Sequence, residues 1–255
     1  MRVILTIVNL KLRKALLLEP PQLDLPDPPS SLQPCEWRLE VTQSTEPRLK
    51  AFWVSAFLVA VPVFAQAPLV RLFPWTSLLL SGIWLLGGWQ LLRSPRLRFW
   101  GDLLIGFGWS WLAGSVYWGW FRWEPYVHLP IEAIALPAVA LLLLRNRAQI
   151  GSFFYLGSLL GTVITDLYFY WVDLIPYWRQ VMSVPPAEAG SVLHAALGQM
   201  QTLPGVSRAA VLLALLLALG ILPMQSKRAI WWSFSGAILS TILVDSLFFA
   251  AAVLA

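Results

Sequence analysis

The sequence predicts an all-α integral membrane protein, a bundle of about seven transmembrane helices with a cytoplasmic N-terminus. Three observations carry that reading. Of 255 residues, 58% are hydrophobic and only 12% charged, a balance that no water-facing surface sustains. After Lys50 the chain breaks into apolar runs near the ~20 residues that cross a hydrocarbon core, each closed by Pro, Arg or Trp. Basic residues then concentrate in alternate loops, as in a polytopic protein.

Residues 1–49 read as a cytoplasmic tail. Met1 to Leu18 is basic and apolar without an acid, and no small-residue cleavage site precedes Glu19-Pro20-Pro21, which argues against a cleaved signal peptide. Two readings stand for this segment. It is a helix on the anionic cytoplasmic face, with Arg2, Lys11, Arg13 and Lys14 toward the headgroups, or the product of a mistaken start codon. Pro20, Pro21, Pro26, Pro28, Pro29 and Pro34, set among acids and serines, then mark an extended linker.

Residues 50–255 form the transmembrane domain, with spans expected at 51–68, 75–92, 100–121, 127–144, 151–172, 206–223 and 230–253. Pro130, Pro137 and Arg208 interrupt or border the fourth and sixth. The fifteen Trp residues bunch near the ends of the runs, as at Trp118, Trp120 and Trp123, where an amphipathic indole suits the headgroup layer. One set of loops holds Arg38, Arg48, Lys50, Arg93, Arg96, Arg98, Arg145, Arg147, Lys227 and Arg228. The opposite set holds only Arg71, Arg122, Arg179 and Arg208, so the positive-inside rule puts the N-terminus inside and the C-terminus outside.

Residues 155–170 overlie residues 234–249 at an offset of 79, matching Gly157 to Gly236, Thr162 to Thr241 and Asp166 to Asp245. The alignment suggests helical-hairpin repeats, against the rival explanation that apolar helices resemble one another by composition.

A carboxylate in hydrocarbon costs about 2.5–3.5 kcal/mol on insertion scales, so intramembrane acids face a partner or a wet cavity. Glu132, Asp166 and Asp245 are the acids so placed, each roughly 7–12 Å below the outer boundary at ~1.5 Å per residue. Glu124, His128 and Asp173 lie nearer the rim. Glu124, His128 and Glu132 fall at i, i+4 and i+8, and Asp166, Tyr170 and Asp173 at i, i+4 and i+7, so each set shares a helical face unless Pro125 or Pro130 starts the fourth helix late. Gly157, Gly161, Thr162, Thr165, Ser240 and Thr241 beside the acids let helices approach closely and supply hydrogen bonds. Asp102 is read as structural, an acid in the first turn of its helix.

Three roles compete for this cluster. Its carboxylates hold helices in register, paired with Thr, Tyr and Trp donors or with Arg122 and Arg179. They form a proton or cation site coupled to movement of a substrate. Or they ligate a metal in an intramembrane enzyme, a role that no HExxH, paired ExxH or Asp-rich diphosphate motif supports. No cofactor is expected, and the chain leans away from being an enzyme. Walker loops, serine elbows and dinucleotide glycine patterns are absent. The net charge of +5 is spread over loops and tail, so the expected partners are the lipid bilayer and other membrane proteins, not nucleic acid. Cys35 stands alone, which excludes an intrachain disulfide. The outer loop, 173–205, carries a helix from Ala187 to Leu203, read as a surface connector or as a lid over the acids, with His194 solvated on it.

The run from Asp166 to Trp171, DLYFYW, and LPIEAIALP, Leu129 to Pro137, carry a resemblance. Over residues 50–255 the chain resembles a family of uncharacterised cyanobacterial membrane proteins. That resemblance implies a plasma or thylakoid membrane and no activity or catalytic residue. The functional expectation is a small proton- or cation-coupled permease with an acidic pocket open to the non-cytoplasmic side. The alternative is a non-catalytic assembly or accessory factor for photosynthetic membrane complexes.

Overall fold

A computed structural model describes residues 46–185 and 187–254; the basic segment and the Pro-rich linker, with Cys35, lie outside the described residues. The described chain is helical throughout. Helix α1 spans Glu46–Leu72 and contains a π turn at Pro62–Gln66, where proline withholds a backbone N–H from the ladder. Helices α2, Pro74–Leu92, and α3, Arg98–Val116, follow, and α3 runs into a second π turn at Tyr117–Phe121. Helix α4, Pro125–Leu144, is broken, with 3₁₀ turns at Pro125–Val127 and Ala133–Ala135 around Pro130 and Pro137. Helix α5 is Gln149–Trp171; two short helices, α6 at Ile175–Ser183 and α7 at Ala189–Met200, connect it to α8, Leu203–Ile221, and α9, Ala229–Leu254.

Five of these helices are long and apolar enough to cross a membrane: α1, α4, α5, α8 and α9. Helices α2 and α3 have 19 residues each, but their Trp, Gly, Ser, Gln and Asp side chains dilute the apolar average. Large apolar side chains point outward all along the bundle, among them Trp53, Phe57, Leu79, Leu86 and Val211. Such a surface is untenable in water over this area and natural against lipid.

Helix α5 packs between α3 and α9, α9 packs on α1, and α2 packs on α3; α4 and α8 lie on the flanks. The crossings sit on glycines. A methyl at Gly106 of α3 would overlap the Gly151 carbonyl of α5, one at Gly157 of α5 the Phe234 carbonyl of α9, and one at Gly236 of α9 the Phe52 carbonyl of α1. Gly157 and Gly236, matched in the sequence alignment, thus each seat the carbonyl of the next helix. Serines finish these seams: Ser55 and Ser233 hydroxyls lie 2.7 Å apart, Ser233 donates to the Ile150 carbonyl at 3.1 Å, and Ser240 donates to the Ala56 carbonyl at 2.8 Å. Small residues and short hydroxyls are the means by which helices associate where lipid offers no hydrophobic drive between them.

Asp102 does more than complement its own helix. Its carboxylate reaches across to α5 and accepts from the Gly151 N–H at 2.6 Å. The residue preceding α5, Ala148, has φ 45° and offers no capping side chain, so α3 caps its neighbour.

If the crossings carry the packing, Gly106→Val lowers stability by about 1–3 kcal/mol through overpacking. Gly82→Ala, where nothing lies within 4 Å of the added carbon, serves as the neutral control. Thermal unfolding of the purified proteins in detergent, followed by tryptophan fluorescence, measures the difference.

Candidate functional site

The polar cluster forms along α5, with α4 on one side of it and α9 on the other. His128 opens the short α-helical piece His128–Glu132, and its imidazole is held from both sides. Nδ1 lies 3.1 and 2.9 Å from the two Asp166 oxygens, while Nε2 lies 3.8 Å from Glu132 Oε1. All three side chains are mostly buried. Nδ1 and the Asp166 carboxyl share a hydrogen bond, and Nε2 faces Glu132 at ion-pair distance, so the imidazole stands between two carboxyl groups.

Further groups extend the cluster. Asp245 of α9 accepts from the Thr165 hydroxyl at 2.9 Å, one residue from Asp166, and lies within electrostatic range of Asp166. Tyr117 lays its ring on the imidazole, centroids 4.1 Å apart. The 3₁₀ turn diverts the Leu136 N–H to the Ala133 carbonyl, and the Tyr155 hydroxyl takes the Glu132 carbonyl at 2.5 Å. The broken α4 is thereby tied to α5 at the level of the acids.

Glu124, the first member of the expected stripe, stands apart. It precedes Pro125 in extended backbone, φ −116° and ψ 93°, and accepts from the Tyr126 N–H at 3.3 Å, because a proline at the first helical position makes the residue before it the cap. Its carboxylate receives Arg179 Nη2 at 2.8 and 2.9 Å. Asp173 is likewise separate: α5 ends at Trp171, and Asp173 is exposed in the following turn with φ 56°. Tyr170 remains on the helix, stacks on Tyr126 at 5.7 Å and donates to the Pro125 carbonyl at 3.4 Å. The acids drawn together are Glu132, Asp166 and Asp245.

Helix α6, which the hydropathy pattern does not announce, covers this rim. Trp178 Nε1 donates to the Arg122 carbonyl at 2.8 Å, and Arg179 lies over the Tyr126 ring at 5.3 Å. Helix α7 turns Val192 and Leu197 inward, and its exposed His194 is bonded at Nδ1 to the Gly190 carbonyl at 2.9 Å. Among the described residues no three His, Cys, Asp or Glu side chains are arranged to hold a metal ion. Sequence reading overlooked Tyr117, Tyr155 and Gln66; Gln66, an amide within an apolar run, is the one of the three with a visible signal.

The model of one protein family, "Protein of unknown function (DUF3120)", matches residues 55–253. The chain belongs to that family. No curated protein and no solved structure matches it. The family match covers every helix that contributes to the cluster and excludes the tail, and family membership assigns no activity to Glu132, Asp166 or Asp245.

The Arg179 guanidinium holds the Glu124 carboxyl below the usual carboxylate range. A carboxyl so lowered stabilises the fold above its ordinary pKa, and that contribution is lost as pH falls through the lowered value. The protection of the backbone amides of residues 122–124, 126 and 127, with the intrinsic pH dependence of exchange divided out, therefore falls on acidification below that point. In Glu124→Gln this acid-dependent step disappears, a comparison that hydrogen exchange read by mass spectrometry makes directly.

Proposed function

We infer that this is a seven-span membrane protein in which Glu132, Asp166, Asp245 and His128 form the proton- or cation-exchanging centre of a small permease. The single observation that carries the reading is the His128 imidazole held between Asp166 and Glu132. Three carboxylates and one imidazole in a low-dielectric setting are not all charged without a bound proton or cation to offset them. A side chain with a partner on each nitrogen can accept a proton on one face and release it from the other.

The span count and orientation rest on physical economy. Helices α2 and α3 have span length, and α3 is the most enclosed helix of the bundle, so its Asp102, Ser110 and Ser115 face protein and not lipid. Counting them as spans sets Arg93, Arg96 and Arg98, then Arg145 and Arg147, then Lys227 and Arg228 on the side of the N-terminus. The acidic cluster and the α6 cover then fall on the opposite, outer side.

The full chain in liposomes with an internal pH dye, given an imposed pH gradient and a panel of small neutral and cationic solutes, tests the centre. The wild type is expected to move protons when its solute is present, and Asp166→Asn combined with Asp245→Asn abolishes the flux at undiminished abundance. Flux that persists in the double variant overturns the reading. If the double variant moves nothing, as the wild type does, but still captures a stoichiometric membrane-protein partner in mild detergent, the chain is an accessory factor. If it fails to accumulate, the cluster is an interhelical fastener.

A further inference from the structure

Away from the acidic cluster, a buried group of polar side chains around Gln66 joins α1, α2 and α3. Gln66 closes the π turn of α1 and is 1% exposed. Its Nε2 donates to the Trp111 carbonyl at 2.6 Å and to Ser115 Oγ at 2.9 Å, both on α3. Ser115 Oγ lies 2.8 Å from Ser77 Oγ on α2, and Trp111 Nε1 donates to the Ser77 carbonyl at 3.0 Å. Gln66 Oε1 has no partner and lies over Gly114, 2.7 Å from where a Cβ would stand. Burying an amide away from water is costly, and here both N–H groups are spent on α3.

One end of this clamp lies in the first π turn, and the other lies just ahead of the second. Gln66 belongs to the first, and Ser115 lies two residues before Tyr117, the residue that opens the second. Single π turns set within α-helices recur at functional sites. Residues two apart on a helix point to nearly opposite sides, so the clamp braces the turn from behind while Tyr117 meets His128 in front. Tyr117 is 1% exposed, with its ring inclined 30° to the imidazole.

We propose that Gln66 is a positioning residue for the His128 centre, bracing through Ser115 the turn that lays Tyr117 against the imidazole. The proposal rests on the reading of that centre as a proton-exchanging site. The groups facing His128 are Asp166 from α5, Glu132 from its own helix and Tyr117 from α3, with Asp245 and Tyr170 in electrostatic range of Asp166. Gln66 is bonded to none of them. A change at Gln66 therefore reaches the imidazole at second hand, most directly through the turn that carries Tyr117.

The chain has two histidines, so nitrogen-15 imidazole NMR of the full protein in detergent reads His128 with exposed His194 as an internal control. Gln66→Met keeps the length of the side chain and removes both donors. It is expected to move the His128 titration midpoint by about half a pH unit or more, with His194 unmoved and Tyr117→Leu shifting His128 in the same sense. Superimposable His128 titrations in the wild type and Gln66→Met overturn the proposal. Should Gln66→Met not accumulate, Ser115→Ala, which deletes one acceptor of the clamp, takes the same measurement with the same two outcomes. A shifted His128 alongside proton flux that survives Asp166→Asn with Asp245→Asn sinks the permease and keeps the positioning role. An unshifted His128 alongside flux lost in that double variant does the reverse.

Discussion

Contact between helix backbones at glycine is the constraint on which the rest of this structure depends. Lipid is as apolar as leucine, so burying more leucine between helices gains little, and association falls to close packing and short polar links. The seats at Gly106, Gly157 and Gly236 bring α1, α3, α5 and α9 to carbonyl distance. At that separation a serine hydroxyl bridges two helices without reaching, as Ser55 does to Ser233. The same closeness brings Thr165 to Asp245, so the acids acquire partners because the backbones have already met.

The all-helical class and five long apolar helices were legible in the sequence, because a run able to cross hydrocarbon must be long and apolar and proline and arginine mark where it stops. The helices α1, α5 and α9 fall close to their expected bounds. Helices α2 and α3 are of span length, but their serines, glutamine and aspartate leave them less apolar than the other five. Irregular turns were less legible: proline foretold the break in α4, but the π turn at Tyr117–Phe121 contains no proline. Helix α6 is short and amphipathic, and no periodicity separates such a piece from a connecting loop.

The site was legible by depth and less so by direction. Counting residues from the apolar boundary singled out Glu132, Asp166 and Asp245, and the side chains of Asp166 and Glu132 do meet at His128. Helical spacing overextended both stripes, because Glu124 and Asp173 lie just beyond the ends of their helices, where the period of 3.6 no longer governs. One turned to Arg179, and the other entered left-handed backbone. Tyr117 and Tyr155 belong to no stripe. Aromatic residues are so frequent here that nothing marked these two as the ones against His128 and Glu132.

The carboxylate that α3 lends to the start of α5 bears on how the chain is assembled. Asp102 precedes Gly151 in synthesis, so its oxygens are in place before the amide that needs them emerges. Until the two helices meet, the first turn of α5 has an N–H with no partner of its own chain segment. Docking of α5 against α3 therefore completes a hydrogen bond that neither helix holds alone, and gives the Asp166 helix an energetic reason to settle against the segment made before it.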